Sequence, residues 1–111
     1  MKLAIVGSRG FADRAMMDRA LENLRPQITE VISGGAAGAD TLGEHWAEKR
    51  GIPVRVFHPA ERKKSAFHRR NRQIVEACDA LIAFWDGRST GTRYTIDYAR
   101  QLNRPVTIIR F

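Results

Sequence analysis

Short apolar runs alternate with amphipathic segments along the chain. Five runs are apolar without strict alternation, which is typical of strands buried on both faces of a parallel sheet. They are residues 2–6, 30–32, 54–57, 79–84 and 105–109. Apolar residues at helical spacing predict helices between these strands, at 13–24, 36–50, 65–78 and from the loop at 85–92 to about 103. The order predicts a single-domain, Rossmann-like, doubly wound α/β sandwich of about five mostly parallel strands with helices on both faces.

Three loops rich in glycine and hydroxyl residues follow predicted strands. They are Gly7–Gly10, Ser33–Gly38 and Asp86–Thr92. In doubly wound sheets, ligands bind outside the carboxyl ends of the strands, where the strand order reverses. We therefore expect the three loops to converge on one ligand-binding edge of the sheet.

The glycine pair Gly34–Gly35 permits two interpretations. It matches neither a dinucleotide fingerprint, because the glycine spacing differs, nor a Walker A loop, because the Gly-Lys-Ser/Thr ending is missing. One interpretation is a tight turn, with the next helix packed closely on the sheet at Gly38. The other is a phosphate or ribose cradle, since free N–H groups and the dipole at a helix N-terminus favour an anion. The similar stretch at 87–92 favours the cradle.

Helix ends alone are too weak to hold a nucleotide. One helix end contributes about 0.3–2 kcal/mol toward an anion, whereas micromolar binding needs about −8 kcal/mol. Charge-assisted hydrogen bonds contribute about 1.5–3 kcal/mol each, and Arg9, Arg70 and Arg88 lie in or beside the loops. Asn71 lies on an apolar stripe of its helix. Its side-chain amide either caps a neighbouring strand or forms hydrogen bonds with a ligand. Asp40 either complements its helix dipole or accepts a hydrogen bond from a ribose hydroxyl.

The candidate ligand-binding residues all lie in these loops or on the helices beside them. They are Gly7, Ser8, Arg9, Ser33, Gly34, Gly35, Ala36, Gly38, Asp40, Arg70, Asn71, Asp86, Gly87, Arg88, Ser89, Thr90, Gly91 and Thr92. The formal net charge of +7 over 111 residues favours an anionic partner, whether nucleotide, nucleic acid or acidic protein. The basic run Arg62–Lys64 is interpreted as a solvated loop.

Several classes of protein are not favoured by this sequence. Cys78 is the single cysteine, so neither an internal disulfide nor a cysteine metal cluster is expected, and its thiol is predicted to be buried. The three histidines lack metal-like spacing, so we expect no metal and no cofactor. No apolar run approaches the roughly 20 residues that span a bilayer. With no secretory signal visible, we expect a cytosolic protein without a membrane partner.

The motifs of the chain, in their order and spacing, resemble those of the SLOG superfamily. They are GSRGF, SGGAAGAD, RRN, CDALIAFWDGRSTGT and IDYA. The likeness covers nearly the whole chain and is greatest to the short stand-alone YspA-like group. It implies that residues 1–111 form a Rossmann-like domain that binds a nucleotide or nucleotide-derived small molecule, as a sensor or a nucleotide-processing protein. Relatives in the superfamily often form homodimers, which this sequence leaves open.

Two more distant branches of the superfamily imply alternatives. The lonely-guy phosphoribohydrolases cleave the base from nucleoside 5′-monophosphates, and the likeness of HRRN to their Arg-Lys pair makes Arg70 a candidate catalytic residue. Thr95 stands where those enzymes have a glutamate that stabilises the oxocarbenium-like transition state. Asp40, Asp86 or Asp97 would have to replace it, so whether the protein is an enzyme stays open. DNA-processing protein A shares GSR and SGGAAGAD, which implies single-stranded DNA binding.

Overall fold

The computed structural model describes residues 1–111 as one parallel sheet with helices on both of its faces. The strands are β1 (Lys2–Gly7), β2 (Glu30–Ser33), β3 (Val54–Val56), β4 (Ala80–Trp85) and β5 (Val106–Arg110). The helices are α1 (Arg14–Glu22), α2 (Ala39–Lys49), α3 (Lys64–Ala77) and α4 (Thr90–Gln101). A single 3-10 turn lies at Arg25–Gln27. The predicted Rossmann-like α/β fold is confirmed, with each strand and helix close to its predicted position.

The order of the strands in the sheet is β3-β2-β1-β4-β5, and every neighbouring pair is parallel. From β1, the strands β2 and β3 follow on one side of the sheet. The chain then crosses to the other side of β1, where β4 and β5 lie. The order therefore reverses between β1 and β4, which is where a doubly wound sheet opens a crevice for a ligand.

Two apolar layers cover the sheet, because successive residues of a strand point to opposite faces. Leu3 and Ile5 pack with residues of α1 and α2, such as Met17 and Trp46. On the other face, the layer contains Ala4 and Val6 of β1, Ile74 and Val75 of α3, Ile96 and Ala99 of α4, and Cys78. Burial on both faces explains the unbroken apolar strands, and the predicted burial of Cys78 is confirmed. None of the helices combines the length and the apolar character needed to cross a membrane.

Helix α2 begins three residues later than predicted, at Ala39 instead of Ala36. Gly38 has a φ of +81°, which a helical residue does not adopt, and a Cβ there would lie 2.5 Å from the carbonyl oxygen of Ser8. Gly38 thus allows the β1 loop to approach, so the prediction that it packs the helix on the sheet was wrong. Gly43 has that role, because a Cβ there would lie 2.7 Å from Ile5 Cγ2.

Candidate functional site

A cleft of about 740 Å³ lies at the carboxyl edge of the sheet, over the reversal between β1 and β4. Its volume falls within the roughly 300–1,000 Å³ of small-molecule sites. Twelve of the predicted site residues line it: Gly7, Ser8, Arg9, Ala36, Asp40, Arg70, Asn71, Asp86, Ser89, Thr90, Gly91 and Thr92. The structure therefore brings residues of all three predicted loops together at one edge.

Six predicted site residues do not line the cleft: Ser33, Gly34, Gly35, Gly38, Gly87 and Arg88. Gly87 has a φ of +83° and lies against the guanidinium of Arg110, so its lack of a side chain serves the turn and this contact. The side chain of Arg88 is exposed outside the cleft, and its backbone N–H donates to Asp86. The expectation that Gly87 and Arg88 hold phosphate is not supported by their positions.

A hydrogen-bond network joins the loops that follow β1 and β4. The hydroxyl of Ser8 accepts from the backbone N–H of Asp86 (3.1 Å) and from the Ser89 hydroxyl (2.8 Å). Asp86 Oδ1 accepts from the backbone N–H groups of Arg88 and Ser89, both at 2.8 Å. These backbone hydrogen bonds lower the pKa of Asp86 to about 2. Asp86 thus stays ionised and holds the turn that begins α4.

The first three residues of α4 present free backbone donors to the cleft. The N–H groups of Thr90, Gly91 and Thr92 have no backbone acceptor, and the side chain of Ser89 does not cap the helix. All three residues line the cleft. Free N–H groups together with the helix dipole favour an anion at this position.

The backbone donors of the glycine loop at 33–38 are, by contrast, used within the protein. Asp40 Oδ2 accepts from the N–H groups of Gly34 (3.1 Å) and Ala36 (3.4 Å). The N–H of Gly35 donates to Ser33 Oγ (3.2 Å), whose hydroxyl donates to Glu44. The prediction that Gly34 and Gly35 hold phosphate through their N–H groups is therefore corrected, because these donors already have acceptors.

Asp40 is a buried carboxyl group on the floor of the cleft. Burial raises its pKa from 3.8 to about 7, although hydrogen bonds from Ala36 and Gly34 and the positive charge of Arg70 act in the opposite direction. Its Oδ2 atom is bound to the glycine loop, whereas Oδ1 has no partner in the protein. Asp40 therefore can both accept and donate a proton near neutral pH.

Arg70 and Asn71 form a hydrogen-bonded pair in the middle of α3, on the side of the helix that faces the cleft. Arg70 Nε donates to Asn71 Oδ1 (2.8 Å), and Arg70 Nη1 donates to the carbonyl oxygen of Gly34. Burial lowers the pKa of Arg70, the charge of Asp40 partly offsets this, and the charge of Arg9 adds to it. The prediction that Asn71 points inward is confirmed, since the residue is buried and lines the cleft.

Four side chains that line the cleft are almost fully buried, yet each keeps a polar atom without a partner in the protein. The exposed fractions are 5% for Asp40, 8% for Arg70, 8% for Asn71 and 7% for Thr92. The free atoms are Asp40 Oδ1, Arg70 Nη2, Asn71 Nδ2 and Thr92 Oγ1. None of these atoms is sealed inside the protein, so each can meet a group that enters the cleft. No group of three or more His, Cys, Asp or Glu residues is arranged to hold a metal ion.

A second group of cleft residues, at the start of α3, was not predicted from the sequence. Arg62, Lys63, Lys64, Phe67 and His68 all line the cleft, so the basic run is more than a solvated loop. The signal was present in the helical spacing, because positions 63, 67 and 71 recur every four residues on the face that carries Asn71. Thr95, at the position of the lonely-guy glutamate, also lines the cleft, and its hydroxyl donates to the carbonyl oxygen of Gly91 (2.9 Å).

Comparison with known proteins identifies the family. The sequence model of the YspA, cpYpsA-related SLOG family matches residues 1–64, which is more than half of the chain. The chain belongs to this family. The matched part of this SLOG protein contains the loops after β1 and β2, while β4 and α4 lie beyond it.

Two further proteins are similar along nearly the whole chain. The Gene 61 protein of Mycobacterium phage D29 is 34% identical over 116 residues, which cover 95% of this chain and 93% of the phage protein. The X-ray structure of DNA processing protein A (DprA) from Streptococcus pneumoniae superimposes with a TM-score of 0.85 at 23% identity. The superposition covers 99% of this chain and 50% of the DprA chain, so this SLOG protein spans half the length of DprA. The likeness to DprA shows that the two share a fold.

Proposed function

We propose that this SLOG protein binds a nucleotide or nucleotide-derived small molecule in the cleft between β1 and β4. The observation that carries the proposal is the set of four nearly buried side chains with unpartnered polar atoms: Asp40, Arg70, Asn71 and Thr92. Each of these atoms is open to the cleft, and a hydrogen bond to a charged group contributes about 1.5–3 kcal/mol. A ligand with phosphate and hydroxyl groups would supply the missing partners.

The chemistry of the free atoms matches the parts of a nucleotide. The N–H groups of Thr90, Gly91 and Thr92, together with Asn71 Nδ2 beside Gly91, form a set of donors suited to a phosphate. Arg70 adds a charged donor, and Asp40 Oδ1 is an acceptor suited to a ribose hydroxyl. Membership of the SLOG family and the position of the cleft at the strand reversal support the same proposal.

Isothermal titration calorimetry tests this proposal with the 5′-monophosphates and 5′-diphosphates of adenosine, guanosine and uridine, together with cyclic nucleotides. We expect at least one probe to bind with a dissociation constant in the micromolar range, which corresponds to about −8 kcal/mol. Asn71→Asp should weaken binding about a hundredfold, because a carboxylate would replace the free amide donor and repel the phosphate. Gln73→Glu makes the same charge change on an exposed position of α3 and should alter affinity by less than about twofold. Folded protein that binds none of the probes would contradict the proposal.

Asp40 favours a second candidate function, hydrolysis of the N-glycosidic bond of a nucleoside 5′-monophosphate. Its carboxyl group lines the cleft, has a free oxygen and has a pKa of about 7, which suits general acid–base catalysis. Thr95 cannot serve in this role, because an aliphatic hydroxyl does not exchange its proton with the reacting groups near neutral pH as a carboxyl group does. In this reaction water would add to C1′, the bond from C1′ to the base would break, and the proton would pass through Asp40 to the departing base.

Chromatography for free base tests the hydrolase candidate. Incubation of each nucleoside monophosphate with the protein should release base, and Asp40→Asn should abolish release while it retains the two backbone hydrogen bonds of the glycine loop. Arg70→Ala should also abolish release. Absence of free base from every substrate would reject this candidate and leave the binding proposal intact.

Single-stranded DNA is a third candidate ligand, supported by the fold shared with DNA processing protein A and by the net charge of +7. The aromatic side chains that would stack bases are, however, largely engaged elsewhere. Tyr94 stacks on His68 with ring centroids 3.9 Å apart, Tyr98 donates to Glu76, and Trp46 is buried. DNA binding predicts an affinity that falls steeply with salt; a flat salt response would exclude it.

A further inference from the structure

The N-terminus of α3 carries positive charge where a helix favours negative charge. Lys63 is the N-cap residue without a side-chain cap, Lys64 begins the helix, and the first turn contains no acidic residue. The helix dipole is positive at this end, so both lysines destabilise the free protein. Helix α1 differs at its N-cap, because the side chain of Asp13 accepts from the N–H of Met16 (2.9 Å), although α1 also begins with a cation, Arg14. Residues that oppose the local preference of a helix in this way occur mainly at functional sites, where binding compensates for the lost stability.

The cations at the start of α3 have little neutralisation within the protein. Lys63 Nζ lies 3.3 Å from Glu61, but both side chains are more than half exposed, and such pairs are weak and readily exchanged. Arg62 and Lys64 form no salt bridge. All three cations line the same cleft as the N-terminus of α4. They are therefore available to a ligand bound there.

Two guanidinium groups lie near the same aromatic ring in this part of the cleft. The Cζ atom of Arg9 is 6.0 Å from the ring centroid of Phe67, and that of Arg70 is 5.8 Å from it. Burial lowers the pKa of Arg70, and the charge of Arg9 adds to the effect. Arg70 is more than nine-tenths buried, and its Nη2 atom lacks an acceptor. An anionic group between these guanidinium groups would relieve their repulsion and supply that acceptor.

The positive charge of the cleft is larger in magnitude than the negative charge of one phosphate group. Its lining contains the five cations Arg9, Arg62, Lys63, Lys64 and Arg70, but only the carboxyl groups of Asp40 and Asp86. With both carboxyl groups ionised, the excess is three positive charges. A phosphate monoester carries about −1.5 to −2 at neutral pH. A nucleoside monophosphate would therefore leave part of the positive charge unbalanced.

We propose that the ligand carries two anionic groups, as in a nucleoside diphosphate or a diphosphate-linked nucleotide. One phosphate binds at the N-terminus of α4 beside Asn71. The other binds between Arg9, Arg70 and the N-terminus of α3. This inference rests on the proposed function and deepens it, because it names the class of nucleotide that the same cleft accepts.

Paired titrations at one ionic strength test the inference: ADP against AMP, GDP against GMP, and UDP against UMP. For the preferred base, we expect the diphosphate to bind at least about tenfold more tightly, because it adds a charge-assisted contact. The variant Lys63→Ala/Lys64→Ala should reduce this preference to about twofold or less, because it weakens binding of the diphosphate more than binding of the monophosphate. The control Arg19→Ala/Arg100→Ala removes two exposed cations from the last turns of α1 and α4 and should retain the preference.

The outcomes separate this inference from the proposed function. Monophosphates that bind as tightly as their diphosphates would overturn the inference and leave nucleotide binding in place, whereas failure of every nucleotide would overturn nucleotide binding itself. A short oligothymidylate that binds more tightly than every diphosphate would assign the second anionic position to a DNA strand and overturn the inference as well. Without nucleotide, the double lysine variant should unfold at the same or a higher temperature than wild type, because the charge conflict with the dipole of α3 is removed. A lower unfolding temperature would contradict that part of the argument.

Discussion

The loops at Ser33–Gly38 and Asp86–Thr92 have similar compositions, but they use their backbone donors in opposite ways. In the first, Asp40 follows the glycines and turns back to accept from Gly34 and Ala36. In the second, Asp86 precedes the glycines and accepts from Arg88 and Ser89. The N–H groups of Thr90, Gly91 and Thr92 at the start of α4 have no acceptor, because the first N–H groups of a helix have no carbonyl group in a preceding turn.

The position of the aspartate relative to the glycines therefore decides which backbone donors of the loop it takes up. An aspartate after the glycines closes the loop on itself and contributes a carboxyl group to the cleft. An aspartate before them fixes the turn and leaves the helix N-terminus open. The first loop is thus a wall of the site whose donors are used internally, and the second is the anion-binding element of the proposed site.

Gly38→Ala should have the largest effect on stability, because the wall depends on this glycine. The φ of +81° disfavours any side chain, and the new Cβ would lie 2.5 Å from the Ser8 carbonyl oxygen. We expect a loss of at least about 3 kcal/mol in the free energy of unfolding, measured by urea denaturation. Gly91→Ala, in the second loop, meets no atom closer than 4.0 Å and should change stability by less than about 1 kcal/mol. Equal losses in the two variants would contradict the comparison.

Asp40→Ala should be the next most damaging change, since it removes the acceptor that closes the first loop. Two backbone N–H groups would lose their partner and Arg70 would lose its nearby counter-charge. We expect a loss of about 2–3 kcal/mol in the same denaturation experiment. The control Asp97→Ala removes an exposed carboxylate that lies 4.0 Å from Arg93, and it should cost less than about 0.5 kcal/mol. A loss in Asp40→Ala no larger than in this control would show that the loop does not need Asp40.

The raised pKa of Asp40 predicts a pH dependence of stability with a definite sign. The folded protein holds this proton up to a pH of about 7, whereas the unfolded chain releases it near 3.8. Between these values the folded state binds more protons, so this contribution falls as the pH rises. Relative to Asp40→Asn, wild type should lose about 2 kcal/mol of its free energy of unfolding between pH 5 and pH 7, because the contribution is at most about 1.4 kcal/mol per pH unit. Denaturation curves at several pH values would contradict this if the difference stayed constant or grew.

The fold was predictable from the chain, and part of the site was not. Unbroken apolar strands such as Leu3–Val6 reveal burial on both faces, and the stripe through Phe67 and Asn71 correctly places the amide inward. The glycine motifs indicated which loops meet at the strand reversal. They could not indicate that Asp40 takes up the donors of Gly34, because that contact depends on the backbone path of the folded loop.

The contribution of the basic run was also hidden in the sequence. A run of exposed cations resembles a solvated loop, and its position beside the cleft depends on how the chain from β3 packs α3 against the sheet. The four-residue spacing from Lys63 to Phe67 and Asn71 was the available clue. This spacing indicates that the three residues share one face of α3. That this face belongs to the cleft becomes clear only from the fold, in which the N-terminus of α4 lines the same cleft.

The affinity of Thr90→Pro for nucleotide tests whether the backbone donors at the start of α4 bind the phosphate. Thr90 is the first residue of α4 and follows Ser89, which has φ −58° and ψ 115°, so proline fits the backbone and removes one N–H donor. Thr90→Ala is the matched control, because it removes the hydroxyl and keeps the N–H. By calorimetry with AMP and ADP, we expect Thr90→Pro to bind about tenfold more weakly than Thr90→Ala at similar stability. Equal affinities of the two variants would contradict the claim that the N-terminus of α4 binds the phosphate.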